Sequence, residues 1–141
     1  MTQSNSVAAQ TSLNHGVKCA TDITGFGLAV HLNEMLLPHQ GAIINVDGLP
    51  SFDGALSYMR KGIRSTSHDS NRRSAEPFLS GLTKACLKAE LLFDPQTCGG
   101  LLMGIDPSNT DNFKEAMSDA NVEVHIIGKV NRSYKQTLEL C

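Results

Sequence analysis

No stretch of this 141-residue sequence approaches the ~18–20 consecutive apolar residues of a membrane span. Positive charge has no excess either. Twelve Lys+Arg stand against fourteen Asp+Glu, a formal net charge of -2, so there is no broad basic field for nucleic acid and no polybasic face for anionic lipid. Met1–His15 contains neither lysine nor arginine and lacks the charged start and apolar middle of a signal peptide. The four cysteines, Cys19, Cys86, Cys98 and Cys141, form no Cys-x-x-Cys. Wide spacing without a secretory signal favours reduced thiols in the cytoplasm over two disulfides. No Gly-x4-Gly-Lys-Ser/Thr occurs, which excludes a P-loop. The histidines His15, His31, His39, His68 and His125 have no metal-ligand spacing.

What is present suits one globular domain. Hydrophobic residues make up 40% and charged residues 18%, which argues against disorder and against a coiled coil. A chain of this length buries enough surface to hold a core without staples. There is no internal repeat, linker or low-complexity segment, so the expected fold is a single α+β domain, a mixed β-sheet covered by three main helices.

Along the chain, residues 1–15 are polar and read as a helix end or a loose arm, and the ordered domain spans 16–141. Val17–Ala20 reads as extended. Thr24 is placed to cap a helix over Gly25–Leu37, whose apolar positions fall on two faces and predict burial on both. On that helix His31 reads as a satisfied core histidine. Ala42–Val46 is a predicted strand closed by Asp47-Gly48 and Pro50. Ser51 can cap a helix carrying Phe52, Ala55, Leu56, Met59 and Ile63 at helical spacing, with Gly62 at its end. Residues 64–76 carry almost no apolar side chain and read as a long loop. A helical turn is expected around Phe78–Lys84, then a strand over Leu101–Ile105. Pro107 opens a helix containing Phe113, Ala116, Met117 and Ala120, which Asn121 can end. Val122, Val124 and Ile126 alternate as a strand with Gly128 a bulge, and Tyr134, Leu138 and Leu140 suggest one more.

Two segments can carry chemistry. Thr21-Asp22-Ile23-Thr24-Gly25-Phe26-Gly27 puts a carboxylate at a strand end before a glycine-punctuated helix start. Free N–H groups there suit phosphate, and a carboxylate beside them can hold Mg²⁺, which takes only one or two protein carboxylates. The plainer alternative is that Asp22 caps a turn which Gly25 and Gly27 permit. Phe93-Asp94-Pro95-Gln96-Thr97-Cys98-Gly99-Gly100-Leu101-Leu102 is a stiff turn entering a strand. Its amides either form an anion-binding nest, or the glycines simply supply tight dihedrals. Cys98 is either a thiol activated by those dipoles or a small loop filler. Asp69, Asn71, Arg72 and Arg73 either bind phosphate or sit in a solvated loop.

Together the two segments resemble the C-terminal domain of the selenophosphate synthetase (selenide, water dikinase) family. That family reads Thr-Asp-Val-Thr-Gly-Phe-Gly-Leu, then Gly-His-Leu, and later Phe-Asp-Pro-Gln-Thr-Ser-Gly-Gly-Leu-Leu. The first block here is Thr21–Leu28, with Val30-His31-Leu32 following; the second differs at Cys98, where serine is usual. Asn5, Leu49-Pro50, Asp53-Gly54-Ala55, Asn71-Arg72 and Ile127-Gly128 also match. The related aminoimidazole ribonucleotide synthetase carries His-Ile-Thr-Gly-Gly-Gly at the first block, so Asp22 favours the selenium branch of that superfamily.

The resemblance implies the reaction ATP + selenide + water → selenophosphate + AMP + phosphate, with Mg²⁺. It implies that Asp22 is a metal ligand facing ATP phosphates across a domain interface. Thr24, Gly25, Gly27, Thr97, Gly99, Gly100 and Asn71 would lie near the nucleotide or its phosphates. It further implies an N-terminal ATP-binding domain as partner, and a homodimer in the full-length form. The family's nucleophile, its neighbouring lysine and its glycine-rich segment belong to that N-terminal domain, and no residue here matches them. Met1 aligns with an internal position of the family, so the expectation is a C-terminal domain, excised or standing alone, inactive by itself. Two other readings compete: a non-catalytic interaction module, and the C-terminal half of a related ATP-dependent synthetase.

Overall fold

The computed structural model describes residues 4–17, 19–81, 86–133 and 135–141. In chain order the main elements are α1 (Ser6–Asn14), β1 (Cys19–Asp22), α2 (Gly27–Met35), β2 (Gln40–Ile44), α3 (Ala55–Arg60), α4 (His68–Ala75), β3 (Leu79–Ser80), β4 (Leu101–Gly104), α5 (Thr110–Asp119), β5 (Gly128–Arg132) and β6 (Leu138–Leu140). A run of 3-10 turns over Leu87–Phe93 leads toward β4. The α+β class holds.

The larger sheet is mixed, in the order β3-β6-β2-β5. Strand β6 runs parallel to both β3 and β2, while β5 is antiparallel to β2. β5 is an exposed edge carrying Lys129 and Arg132, the kind of charge that discourages edge-to-edge pairing. β1 and β4 form a separate antiparallel ribbon, with Asp22 opposite Leu101 and Cys19 opposite Gly104.

Two cores hold these parts together. The larger one joins α2, the main sheet and the Leu87–Phe93 turns through Leu28, Ala29, Leu32, Ile44, Leu92, Phe93 and Leu138. The smaller one joins α1 and α5 through Ala8, Val17, Phe113 and Met117. Successive strand residues face opposite sides, so Leu102 enters the larger core while Leu101 and Met103 pack on the smaller. The β1–β4 ribbon is thereby clamped between both cores, and the ends of its strands cannot drift apart without opening one of them.

Ser6–Asn14 is helical, anchored by buried Ala8 and Ser12. Several expectations are corrected. The second helix starts at Gly27, because the Thr24 hydroxyl bonds His31 Nε2 at 3.0 Å and caps nothing. Only its Leu28–Leu32 side is deeply buried; Phe26 and Leu37 are exposed, so burial on two sides fails. Helix α3 begins at Ala55 after a left-handed Gly54, leaving Ser51 outside it and Phe52 in solvent. Its left-handed Gly62 end is as predicted.

The predicted loop over 64–76 contains α4, a helix whose buried face is polar. Val122, Val124 and Ile126 form no strand. Val122 and Val124 pack on the smaller core, and the ladder with β2 begins only at Gly128, in regular register. Phe78 ends a 3-10 turn rather than opening a helix; the rest of that expected turn, 82–85, lies outside the described residues, as does Tyr134. Pro107 opens a 3-10 turn before α5, where the Asp106 carboxylate accepts from the Ser108 amide and from the Ser108 hydroxyl. That hydroxyl and then the Ser108 amide hold the Asp106 carboxyl below its ordinary value. Among the described residues there are five α-helices where three main ones were expected.

Candidate functional site

The two predicted segments meet. β1 delivers the Thr21–Gly27 segment and β4 receives the Phe93–Leu102 segment, and antiparallel pairing sets Asp22 beside Leu101. Beyond the ladder the contact continues. The Ile23 amide donates to the Gly100 carbonyl at 3.1 Å, and the Gln96 amide donates to the Thr24 carbonyl at 3.0 Å. Thr24 O also accepts from the Gly27 amide at 3.1 Å, closing the turn that starts α2.

Two glycines are required by this contact. Gly27 has φ +76, and a Cβ there would stand 2.8 Å from the Leu92 carbonyl oxygen. A Cβ on Gly99 would stand 2.2 Å from the Ile23 carbonyl oxygen. Both clashes are with backbone, which cannot swing aside as a flexible side chain would.

The surface of the junction is polar and open. Asp22 is exposed, and its carboxylate has no side-chain hydrogen bond or ion pair with the described residues. The amides of Thr97, Cys98, Gly99 and Gly100 have no acceptor among the described residues. Thr97, Cys98 and Gly100 are exposed. Cys98 turns the backbone at φ +52, so neighbouring N–H groups can face a common concavity, as in an anion-binding nest. Its thiol is free and exposed. An isolated carboxylate beside unpaired amides can hold a cation together with an anion bound to it.

The fit to Mg²⁺ follows from the donor set. No group of three or more His, Cys, Asp and Glu gathers among the described residues, so these residues offer no closed protein cage. Mg²⁺ does not need one: it is commonly held by one or two carboxylates, with water and phosphate oxygens completing its octahedron. Asp22 fits as one carboxylate of a shared site.

Behind the junction sits Asn71, whose Nδ2 donates to Gly25 O at 2.8 Å and to Phe93 O at 3.1 Å. Asn71 is buried, so its amide ties the two turns together rather than facing solvent. Asn5 makes a second tie, donating from Nδ2 to Gly99 O at 2.9 Å.

Around Asn71 lies a group that sequence reasoning missed. Glu90, almost fully buried, accepts hydrogen bonds from His68 Nε2 at 2.8 Å and Arg72 Nη1 at 2.6 Å, and Arg64 Nη1 forms an ion pair with it at 3.3 Å. The available signal was spacing: His68, Asn71, Arg72 and Ala75 stand at i, i+3, i+4 and i+7, one helix face written in mostly polar residues. His31, by contrast, is the satisfied histidine expected, paired with Thr24 and, at 3.4 Å, with Glu34.

Residues 1–141 match the family described as AIR synthase related protein, C-terminal domain. The chain is a member of that family. Among curated proteins, this member of the C-terminal domain family is 32% identical over 131 residues to selenide, water dikinase of Haemophilus influenzae strain 86-028NP, covering 92% of this chain and 37% of that protein. To the selenide, water dikinase of Bdellovibrio bacteriovorus it is 34% identical over 119 residues, 84% of this chain and 34% of that one. For Campylobacter jejuni the figures are 33% over 130 residues, 92% and 37%. The chain therefore spans little more than a third of the length of these relatives.

Proposed function

We propose that this chain is the C-terminal domain of a selenide, water dikinase. Such an enzyme forms selenophosphate, AMP and phosphate from ATP, selenide and water, and is placed in the cytoplasm. In this reading Asp22 supplies one carboxylate to Mg²⁺ at the boundary with an N-terminal ATP-binding domain. The Thr97–Gly100 amides, with Gly99 and Gly100 giving the backbone its close approach, receive phosphate oxygens. Thr24, Gly25 and Gly27 shape the facing turn, and Asn71 holds the two turns at a fixed separation. The full-length enzyme is a homodimer in this reading.

One observation carries the proposal: two segments far apart in sequence are hydrogen-bonded into a single open surface, where a carboxylate and four amides have no partner among the described residues. When bound, Mg²⁺ would neutralise charge on the transferring phosphate; the chain's own residues orient that phosphate and exclude the wrong approach. Phosphoryl transfer rests mainly on positioning and charge stabilisation, and one carboxylate with one nest is only part of such a site. The domain alone is thus expected to be inactive.

Anaerobic ³¹P NMR with Mg-ATP and selenide tests this. The 141-residue chain should give a silent spectrum. Grafted in place of the matching C-terminal segment of the Haemophilus influenzae relative, it should give a selenophosphate signal. A folded graft that binds Mg-ATP yet makes no selenophosphate would favour the C-terminal half of a different ATP-dependent synthetase. A folded graft that binds no nucleotide would favour a docking module.

A further inference from the structure

His68, Arg72 and Glu90 take no part in the proposed chemistry, yet they surround the first residue of one of its two turns. Phe93 is fully buried. The His68 ring meets it edge-on, with centroids 6.1 Å apart at 89°, and the Arg72 guanidinium lies 5.7 Å from its ring centroid. Its carbonyl accepts from Asn71, whose same nitrogen reaches Gly25 in the other turn. One face of α4 therefore grips both turns from the rear.

Glu90 fixes how α4 is rotated. Its two carboxylate oxygens accept from His68 and Arg72, one turn apart on the helix, at 2.8 and 2.6 Å. Glu90 itself lies in the same run of 3-10 turns that ends at Phe93, so the connections close a ring through α4. His68 Nδ1 is buried with no partner among the described residues. A buried unsatisfied nitrogen in a native fold calls for an explanation, and a ring held in one orientation by its Nε2 bond and by Phe93 supplies it.

We propose that His68, Arg72 and Glu90 are positioning residues that set the spacing between the Asp22–Gly27 turn and the Thr97–Gly100 turn. That these turns take Mg²⁺ and phosphate rests on the reading above; the bracing does not.

Amide hydrogen exchange of the 141-residue chain, followed by NMR, separates the two. The informative amides are Ile23, Gly27 and Gln96, which bond across or within the turns, compared with Ala42 and Asn45 in and beside the main sheet. Arg72→Met keeps an apolar stem over Phe93 and removes the guanidinium. It should speed exchange at the three turn amides about tenfold while leaving the sheet amides unchanged, and Arg72→Lys should recover part of the loss. Glu90→Gln should act in the same direction, which keeps the test open if either variant folds poorly. Leu138→Ala, a fully buried position of β6 in the main sheet, is the stability control and should not single out the turn amides. In parallel, broadening of the Thr97–Gly100 amides by Mn²⁺ with inorganic phosphate should need about tenfold more Mn²⁺ in Arg72→Met than in wild type. If Arg72→Met and Glu90→Gln disturb the turn amides no more than the sheet amides, the bracing is refuted. If exchange responds locally but wild type never broadens with Mn²⁺ and phosphate, the bracing stands and the metal–phosphate reading falls.

Discussion

Glu90→Ala is expected to destabilise the chain by about 3–5 kcal/mol, the usual cost of removing one partner from a buried ion pair. The carboxylate accepts from His68 and Arg72, pairs with Arg64, and is nearly enclosed. Without it, Arg64 loses its carboxylate, Arg72 keeps only the exposed Glu76 at 3.6 Å, and His68 is left with no partner at either ring nitrogen among the described residues. Arg72 and Arg64 are about three-tenths exposed, so water offsets part of that cost and places the expected loss toward the lower end. Urea unfolding at constant m-value checks it. A loss under about 1 kcal/mol would put the cluster with ordinary surface pairs. Replacing Glu90, His68 and Arg72 together by apolar residues of similar volume should cost less than Glu90→Ala alone, because the one cluster charge that remains, Arg64, is about three-tenths exposed and can be hydrated.

Gly99→Ala is expected to cost about 3 kcal/mol or more by overpacking against backbone. Its Cβ would stand 2.2 Å from Ile23 O, and the only escape is to separate the two turns. That movement would strain or break the Ile23–Gly100 and Gln96–Thr24 bonds and displace Asp22 from the Thr97–Gly100 amides. Gly100→Ala is the matched control: its Cβ meets nothing within 4 Å, so the two variants separate crowding from any general intolerance of a side chain in this loop. Thermal unfolding should show a large shift for Gly99→Ala and a small one for Gly100→Ala.

The candidate site was legible where the sequence is dense in backbone signals. Thr21–Gly27 and Phe93–Leu102 announce turns through their glycines and proline, and their meeting follows from strand pairing that neither segment could state alone. Helix ends at Gly62 and Asn121 were legible for the same reason: residues that tolerate positive φ mark them. Helix α4 was not legible, because apolar periodicity does not mark it: its buried residues are His68, Asn71 and Ala75, with half-buried Arg72 on the same face. The interior it faces is polar because Glu90 is there, and Glu90 sits in an apolar run, Leu87–Phe93, that gave no hint of a charge partner. The false strand at Val122–Ile126 is the converse case. Alternation reports that one side is buried, and there the burial comes from α5 and the smaller core, with no neighbouring strand to complete a ladder.

The order of these elements also explains how a surface with so little machinery can be exact about position. Two turns are fixed in front by the β1–β4 ribbon, at the side by Asn5, and behind by Asn71 on a helix whose rotation Glu90 sets. Groups held on rigid elements and backed by a second layer of contacts keep their geometry better than groups on free loops.

The most direct test of the account is Asp22→Asn in the graft with the Haemophilus influenzae relative, read by anaerobic ³¹P NMR under saturating Mg-ATP and selenide. Asparagine keeps the size and a carbonyl oxygen but removes the charge, and the exposed position predicts an unchanged fold. The account predicts that selenophosphate formation falls by about a hundredfold or more, with partial recovery when Mn²⁺ replaces Mg²⁺. Undiminished selenophosphate formation by Asp22→Asn would contradict the metal role of this carboxylate and, with it, the reading of the two turns as part of the active site.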